Sequence, residues 1–504
     1  MSHPSSPTAV EPEKPPPTAG PTNLLGRFTV VFGAVRELWI VFAYVVMSNL
    51  AYMLVVLTLS LWLTSDLGYN DIEAGWWVTT WTAGMTFCVV LVGSLTDALG
   101  LRKTFLLGCT LCIVPRLFMT FAEAKVLVLG GLLVLAMGEA LGAPVTVAAL
   151  RRYTTTAQRS IAFSLFYALM NVGYGLAGYV FDFVRQKMGE TGHWVLPGLG
   201  MGLSTYRTVF LVSVCFYVPC LLLIYFWLRE GVEATDHGVE ITVDKPKYPQ
   251  ARLGTAFALT IRDTLRTTGR IFVGLWRQPG FYKFLAFLSL AAFIKMIFTH
   301  MYFTYPKFGI RELGNGAPIG RLWSMNNFLI VFLAPLVGVL SQRISAYSMA
   351  MWGSLVAASS VFIMAMPPHW FQPLADGWLG HSVAHVWLGV QGQVNPYYVM
   401  IFLYVLLLSM GEAVYSPRLY EYAAAIAPKG QEASYMALSS LPFFLAKLCM
   451  APLSGILLAR FCPAQGPRHS GTLWLIIGLT TMIAPVGLFL FQRFIRVKEA
   501  GREG

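Results

Sequence analysis

Ionisable side chains are rare inside the long apolar runs of this chain, and the few that occur there could carry chemistry. They are Arg116, Glu139, Lys295, His300, Glu412, Arg418, Glu421 and Lys447. A charge in hydrocarbon costs at least about 2.5–3.5 kcal/mol, so each must face an opposite charge, a polar cavity or the membrane surface. In such a place a carboxylate can bind an amine or carry a proton, and a cation can bind a carboxylate.

The densest group of these residues lies in positions 411–428, which read GEAVYSPRLYEYAAAIAP. Pro417 removes one helical hydrogen bond and bends the predicted helix about one turn after Glu412. Tyr415 and Ser416 place hydroxyl groups beside that carboxylate. The pattern therefore suits a ligand that carries an amine. The other reading of the same stretch is structural, because Arg418 and Glu421 are three apart on one helix face and can neutralise each other.

The composition is that of a protein embedded in a lipid bilayer. Hydrophobic residues make up 56% of the 504 positions and charged residues only 12%, about half the charged share of a soluble globular protein. The net charge of +12 does not indicate nucleic-acid binding, because the cations lie in connections between apolar runs. Six of the seven cysteines fall inside apolar runs, so we interpret them as packing residues.

Apolar runs of membrane-spanning length predict twelve helices in an all-α polytopic membrane protein. The predicted helices 1 to 12 cover 38–65, 76–98, 104–122, 126–150, 161–183, 206–228, 281–305, 321–341, 346–367, 397–425, 434–460 and 473–495. They divide six and six around one long polar connection.

This division predicts five segments along the chain. Residues 1–37 form an N-terminal tail whose Pro-, Ser- and Thr-rich start we expect to be disordered, 38–228 a first bundle and 281–495 a second, followed by a tail at 496–504. Between the bundles, 229–280 is a linker in which 256–266 has helical apolar spacing. We expect this amphipathic helix to lie on the membrane surface, the alternative being a solvated linker helix.

The distribution of Lys and Arg predicts the orientation. The even-numbered connections and both tails hold about 23 of them and the odd-numbered connections about 9. Because cations are retained on the cytoplasmic side, both termini should face the cytoplasm, and with no cleavable signal we expect the cell membrane as location.

The connection between predicted helices 2 and 3 spans positions 93–104 and reads GSLTDALGLRKT. It resembles the signature loop of the major facilitator superfamily, G-x-L-x-D-x-x-G-x-[RK]-[RK]. The resemblance implies two six-helix bundles that alternate around a central site, and it implies conformational gating by Gly93, Asp97, Gly100, Arg102 and Lys103. An ordinary Gly-rich turn is the alternative. Positions 338–343, GVLSQR, are a weaker echo in the second half.

A second resemblance covers three helices. Positions 411–428 resemble helix 10 of the proton-coupled oligopeptide transporter family, whose pattern is G-E-x-x-x-S-P-x-x-x-E-[FY]-x-x-x-x-A-P. Positions 163–173, FSLFYALMNVG, resemble the family's F-x-x-F-Y-x-x-x-N-x-G, and GEALGAP at 138–144 has family-like spacing. The resemblance implies a secondary active, proton-linked transporter of small peptides or related amine-bearing solutes.

The same resemblance implies the site residues. Substrate binding is expected at Glu412, Tyr415, Ser416, Tyr52, Asn171 and Lys295, and proton coupling at Glu412 and Glu139. Two departures are clear. Positions 45–53, VVMSNLAYM, keep one tyrosine of the family's helix 1 pattern E-x-x-E-R-F-x-Y-Y and lack its acids and arginine, and the family's helix 4 lysine corresponds to Ala143. Arg116, Lys295 or Lys447 could supply the missing cation.

Other readings remain open at this point. The chain could export amphipathic compounds, take up a different organic solute, or be a transport-inactive sensor with the same fold. An enzyme is not expected, since no His-rich metal motif, nucleophile elbow or phosphate-binding loop occurs in the connections. His381 and His385 are four apart but lack a third ligand. We therefore expect no metal and no cofactor, a monomer, and a small solute and protons as partners.

Overall fold

The computed structural model describes residues 30–92, 99–196, 198, 200–241, 253–276, 278–341, 344–426 and 440–496. Several predictions fall outside these ranges: the gating residues Gly93 and Asp97, most of the N-terminal and C-terminal tails, and the first residues of predicted helix 11. The described part is mostly helical.

Twelve long helices, α1 to α12, correspond one to one with the predicted helices. They are Arg36–Ser65, Asp71–Val92, Leu101–Phe121, Lys125–Arg152, Thr156–Met188, Thr205–Trp227, Pro279–Phe303, Ile319–Leu340, Ala346–Ala365, Pro396–Ile426, Ser440–Phe461 and Ser470–Leu490. Within the described residues, ten helices are long and apolar enough to cross a membrane, and α2 and α11 are outside that set.

Helix α2 carries four threonines, and their hydroxyl groups are satisfied within the helix. The hydroxyl groups of Thr79, Thr80, Thr82 and Thr86 each donate to the carbonyl group four residues earlier at 2.8–2.9 Å. A hydroxyl bonded in this way presents little unsatisfied polarity to the bilayer.

The helix ends differ from the prediction where polar residues extend a helix beyond its apolar core. Helix α5 was expected at 161–183 and spans Thr156–Met188. Thr155 and Gln158 form a capping box at its start, which satisfies backbone N–H groups and moves the beginning five residues earlier. Hydropathy alone does not detect such ends.

The helices form two six-helix bundles, which confirms the predicted architecture. In the first, α1 packs on α5 and α6, and α3 packs on α4 and α6; in the second, α9 packs on α10 and α12, and α7 packs on α11 and α12. The main contacts between bundles are α2 with α11 and α5 with α8.

The two bundles contact each other closely at one end of the molecule, which we call the α1–α2 end. The connections α1–α2, α5–α6, α7–α8 and α11–α12 meet there. A side chain on Gly178 of α5 would come within 2.3 Å of the carbonyl oxygen of Gly320 on α8. Asp182 of α5 accepts hydrogen bonds from the N–H groups of Gly320 (2.9 Å) and Arg321 (2.7 Å). One bundle thus caps the first turn of a helix in the other.

Two charge clusters lie at the same end. Arg185 is fully buried and pairs with Asp182 and Glu190. Burial alone would raise the pKa of Glu190, but the Arg185 guanidinium holds it below its usual value. The short helix Tyr305–Leu313 follows α7 and directs Lys307 and Arg311 to Asp71 at 2.8 and 2.9 Å.

Two small hairpins were not predicted. Strands β1 (His193–Val195) and β2 (Gly202–Ser204) pair in the α5–α6 connection, and β3 (Val232–Thr235) and β4 (Gly238–Ile241) pair after α6. These strands are only three or four residues long and lie in stretches we interpreted as polar connections. The linker also contains the helix Leu253–Trp276, which includes the predicted helical positions 256–266.

Candidate functional site

A cavity of about 560 Å³ lies between the two bundles. Helices α1, α2 and α5 form one wall, and α7, α8, α10 and α11 form the other. The first wall is neutral and aromatic: Tyr52, Tyr167 and Tyr174 line it with Asn171, and none of its described lining residues is charged. The second wall carries Lys295, Glu412 and Lys447.

Glu412 lies on α10 and is held by α8. Its side chain is 9% exposed, and Oε2 accepts a hydrogen bond from Nδ2 of Asn326 at 3.0 Å. The same amide nitrogen lies 3.0 Å from Oγ of Ser409, one turn earlier on α10. These contacts fix the carboxylate at the cavity surface and leave acceptor capacity for a ligand.

Lys295 of α7 lies beside Glu412. Its Nζ donates to Oγ of Ser416 at 3.1 Å and is 5.4 Å from the ring centre of Tyr415. The charges of Lys295 and Glu412 attract each other, although no ion pair shorter than 4.0 Å joins them in the part of the chain described. A carboxylate and an ammonium group side by side can bind a molecule that carries both groups.

Lys447 of α11 is the second cation of the cavity. Its Nζ donates to Oγ1 of Thr86 on α2 at 3.1 Å, so this contact crosses from one bundle to the other. Opposite the charged wall, the rings of Tyr52 and Tyr174 lie 6.2 Å apart. The cavity can therefore contact apolar parts of a ligand on one side and ionic groups on the other.

A family model described as Major Facilitator Superfamily matches residues 40–393, more than half of the chain. The chain belongs to the Major Facilitator Superfamily. It is therefore an integral membrane protein with the fold of this superfamily's transporters, and the predicted family is confirmed. A comparison with curated proteins finds no match.

Solved structures of similar fold include transporters of the POT family. A peptide transporter POT in complex with sulfate is 16% identical with a TM-score of 0.66, covering 92% of this chain and 96% of its own. A POT family transporter in complex with 5-aminolevulinic acid is 14% identical with a TM-score of 0.65, covering 92% and 98%. A bacterial homologue of human drug peptide transporters is 19% identical with a TM-score of 0.61, covering 91% and 98%. Identities this low establish the fold alone.

Most residues predicted for the substrate site of this superfamily member come together in the cavity. Five line it directly: Glu412, Ser416, Tyr52, Asn171 and Lys295. Tyr415 is fully buried and contributes its ring to the surroundings of Lys295. Their roles in binding stay predictions. Of the three helices that resembled the peptide transporters, α5 and α10 line the cavity and α4 contributes none of its described lining residues.

Sequence reasoning did not assign Asn326 or Lys447 to the site. Lys447 was one of three candidates for the missing cation, but helix periodicity alone did not show that it lines the same cavity as Glu412 and Lys295. Asn326 is followed by Asn327 inside the apolar run of α8, and both line the cavity. Two consecutive amides in such a run are a signal that could have found them.

Glu139, the second predicted proton-coupling residue, lies elsewhere. It is paired with the fully buried Arg116 and accepts a hydrogen bond from the hydroxyl group of Tyr217 at 3.3 Å. Arg116 also donates to the carbonyl of Cys112 at 2.8 Å, and neither charged residue is among those lining the cavity. Arg116 is therefore engaged inside the first bundle, which leaves Lys295 and Lys447 as the cavity cations.

The described part of the gating loop shows how α3 begins. Gly100 has φ +82°, a conformation that favours glycine, and it precedes the first turn of α3. Arg102 donates to the carbonyl of Tyr225 at 2.6 Å and lies 3.7 Å from Glu230, while Lys103 is exposed. Arg102 thus ties α3 to the end of α6.

Proposed function

We propose that this chain is a secondary active, proton-linked transporter of small peptides or related amine-bearing organic solutes. The observation that carries the proposal is the position of Glu412, buried at the central cavity beside Lys295 and held by Asn326. A solute with an amine and a carboxylate matches this pair of charges. One solved relative was crystallised with 5-aminolevulinic acid, which has both groups.

Each half of such a solute has a partner of opposite charge. Glu412 accepts hydrogen bonds from the ammonium group, and Lys295 donates to the carboxylate with Ser416 keeping it in place. The aromatic wall formed by Tyr52 and Tyr174 contacts the apolar remainder. Transport follows when the bundles rock around the occupied cavity and open it alternately to the two sides.

Proton linkage arises from the same carboxylate. An ionised Glu412 that loses its amine ligand in a largely apolar cavity is costly, and taking up a proton removes that cost. The proton then leaves when the next amine binds. We keep Glu139 as a less important candidate, since it already has the guanidinium group of Arg116 as partner.

Uptake by proteoliposomes tests the proposal. We expect uptake of alanyl-alanine driven by an imposed pH gradient, and a loss of about tenfold or more in Glu412→Gln, because a charge-assisted contact is removed. Glu139→Gln, compared at equal amounts of folded protein, should lose less. Full pH-driven uptake by Glu412→Gln would contradict both the site and its role.

The alternatives are distinguished by the same preparation. A thermal-shift screen against dipeptides, amino acids, sugars and amphipathic cations detects any ligand that binds only the folded protein. Binding of dipeptides without uptake would indicate a sensor. Binding of amphipathic cations or sugars alone would indicate a different activity of the superfamily.

The distribution of Lys and Arg supports our proposal that both termini face the cytoplasm of a cell membrane. A cysteine placed at His237, in the β3–β4 turn, should react with an impermeant thiol reagent only after the cells are permeabilised. Labelling in intact cells would reverse the orientation.

A further inference from the structure

Lys447 differs from Lys295 and Glu412, the other charged residues of the cavity, because its hydrogen bond in the described structure crosses from the second bundle to the first. Its ammonium group donates to Oγ1 of Thr86, and the Thr86 hydroxyl in turn donates to the carbonyl of Thr82 at 2.9 Å. An ammonium group has three N–H donors, and this contact uses one. The contacts of the described residues leave the other two donors for a ligand in the cavity that Lys447 lines.

No acid in the described residues offsets the charge of Lys447. Glu412 attracts the neighbouring Lys295, whereas no charged group among the described residues acts on Lys447. Lys447 is half-buried. A cation held in such a place without an opposite charge is costly, and an anion supplied by the ligand would offset that cost. The described lining of the cavity thus holds two cations and one carboxylate, an excess of one positive charge.

We propose that Lys447 and Thr86 form a subsite for an anionic group, so that the preferred substrates carry one amine, two anionic groups and a net charge of −1. The inference rests on the proposed function, in which Glu412 binds the amine and Lys295 the first carboxylate. A dipeptide with an acidic side chain is the simplest member of this class.

The subsite is formed by residues of both bundles. Lys447 belongs to α11 in the second bundle and Thr86 to α2 in the first, and these two helices pack against each other. Glu412 and Lys295 both belong to the second bundle. The second anionic group is therefore the charged part of the ligand that binds at the contact between the bundles.

Binding of three dipeptides to the purified full chain tests the subsite. Calorimetry with alanyl-glutamate, alanyl-alanine and alanyl-lysine should rank them in that order, with the acidic peptide bound about tenfold tighter than the neutral one, as a charge-assisted contact predicts. Lys447→Gln should abolish this preference, because it lowers the affinity for alanyl-glutamate about tenfold more than the affinity for alanyl-alanine. Lys447→Arg keeps the charge and should retain the preference.

A second variant tests the subsite in case Lys447→Gln does not fold. If Lys447→Gln melts at a much lower temperature than the wild type, the same binding measurements are made with Thr86→Val. This substitution lies in the first bundle and removes the hydroxyl group that orients the ammonium group of Lys447. We expect it to reduce the preference for alanyl-glutamate by about threefold. Equal binding of the acidic and neutral dipeptides by the wild type, or an unchanged preference in both Lys447→Gln and Thr86→Val, overturns the subsite.

Glutarate, a dicarboxylate without an amine, separates this inference from the proposed function. If no dipeptide binds but glutarate binds in a way that depends on Lys447, the amine assignment is wrong and the anionic subsite is supported. If neither dipeptides nor glutarate bind to the folded protein, both are wrong. In a third outcome, alanyl-alanine binds and its affinity falls in Glu412→Gln, but the affinity for alanyl-glutamate is the same with and without Lys447. In that case only the subsite is wrong.

Discussion

Glu139 in the first bundle and Glu412 in the second are both buried carboxylates on membrane-spanning helices, but their surroundings differ. Glu139 is paired with Arg116 and bonded to Tyr217, and all three belong to the first bundle. Glu412 is bonded to the neutral Asn326 and faces a cavity that also contains Lys295.

The difference shows that burial of a charge does not by itself mark a binding site. A buried charge that is neutralised within its own bundle stabilises packing, whereas one that faces a cavity between bundles can be offset by a ligand or a proton. The first bundle contributes a neutral, aromatic wall to the cavity and the second contributes its charges. The predictions below test this division.

The largest effect is expected from Arg116→Met. Removing one partner of a fully buried ion pair leaves Glu139 uncompensated, which costs about 3–5 kcal/mol. The melting temperature of the purified protein should fall strongly.

The double variant Arg116→Met with Glu139→Met is the matched control. Because apolar residues can replace a buried pair at little cost, it should recover much of the stability and retain pH-driven uptake. If Arg116→Met alone melts like the wild type, or if the stable double variant does not transport, Glu139 is more than a structural partner.

An intermediate effect is expected from Asp97→Asn in the gating loop of the first bundle. The substitution removes only the charge on which the predicted gating role depends, and a change of about 1–2 kcal/mol in a charge-assisted contact corresponds to a rate change of roughly tenfold. Uptake should slow by about this factor while ligand affinity is kept. Ser341→Ala in the weaker echo of the second bundle, where Oγ accepts from Arg418 at 2.8 Å, should do less. Lost binding with unchanged turnover would show that the loop assignment is wrong.

The smallest effect concerns Lys307, which joins the bundles at the α1–α2 end. Burial lowers its pKa to about 8, although Asp71 favours its charged form. A lysine in an unfolded chain has a pKa of about 10.4, so between these values the unfolded state holds one more proton than the folded state. Stability should therefore rise with pH in this window.

Thermal melts at pH 7 and pH 9.5 check this direction. The wild type should gain stability relative to Lys307→Met, in which Asp71 keeps Arg311 as a partner at 2.9 Å. Identical pH profiles of the two proteins would mean that Lys307 does not titrate in this range.

The sequence alone determined the number and order of the membrane helices, the division into two bundles and the superfamily. Hydropathy and helix length carry this information locally, because each run must cross the same apolar layer. The same local signals identified Glu412 with its neighbour Ser416 as one constellation on α10. They missed the polar extensions of α5 and the two hairpins, which depend on capping and on pairing between short segments.

Only the tertiary structure decided which intramembrane charges share a space. From the sequence, Arg116, Lys295 and Lys447 were all candidates for the missing cation, and only Lys295 was assigned to the substrate site. The structure places Arg116 against Glu139 and brings Lys295 from α7 and Lys447 from α11 to the cavity that Glu412 lines. The direction of a side chain on an apolar helix depends on how that helix is rotated against its neighbours, and helices that are hydrophobic on all sides carry no periodic signal that fixes this rotation.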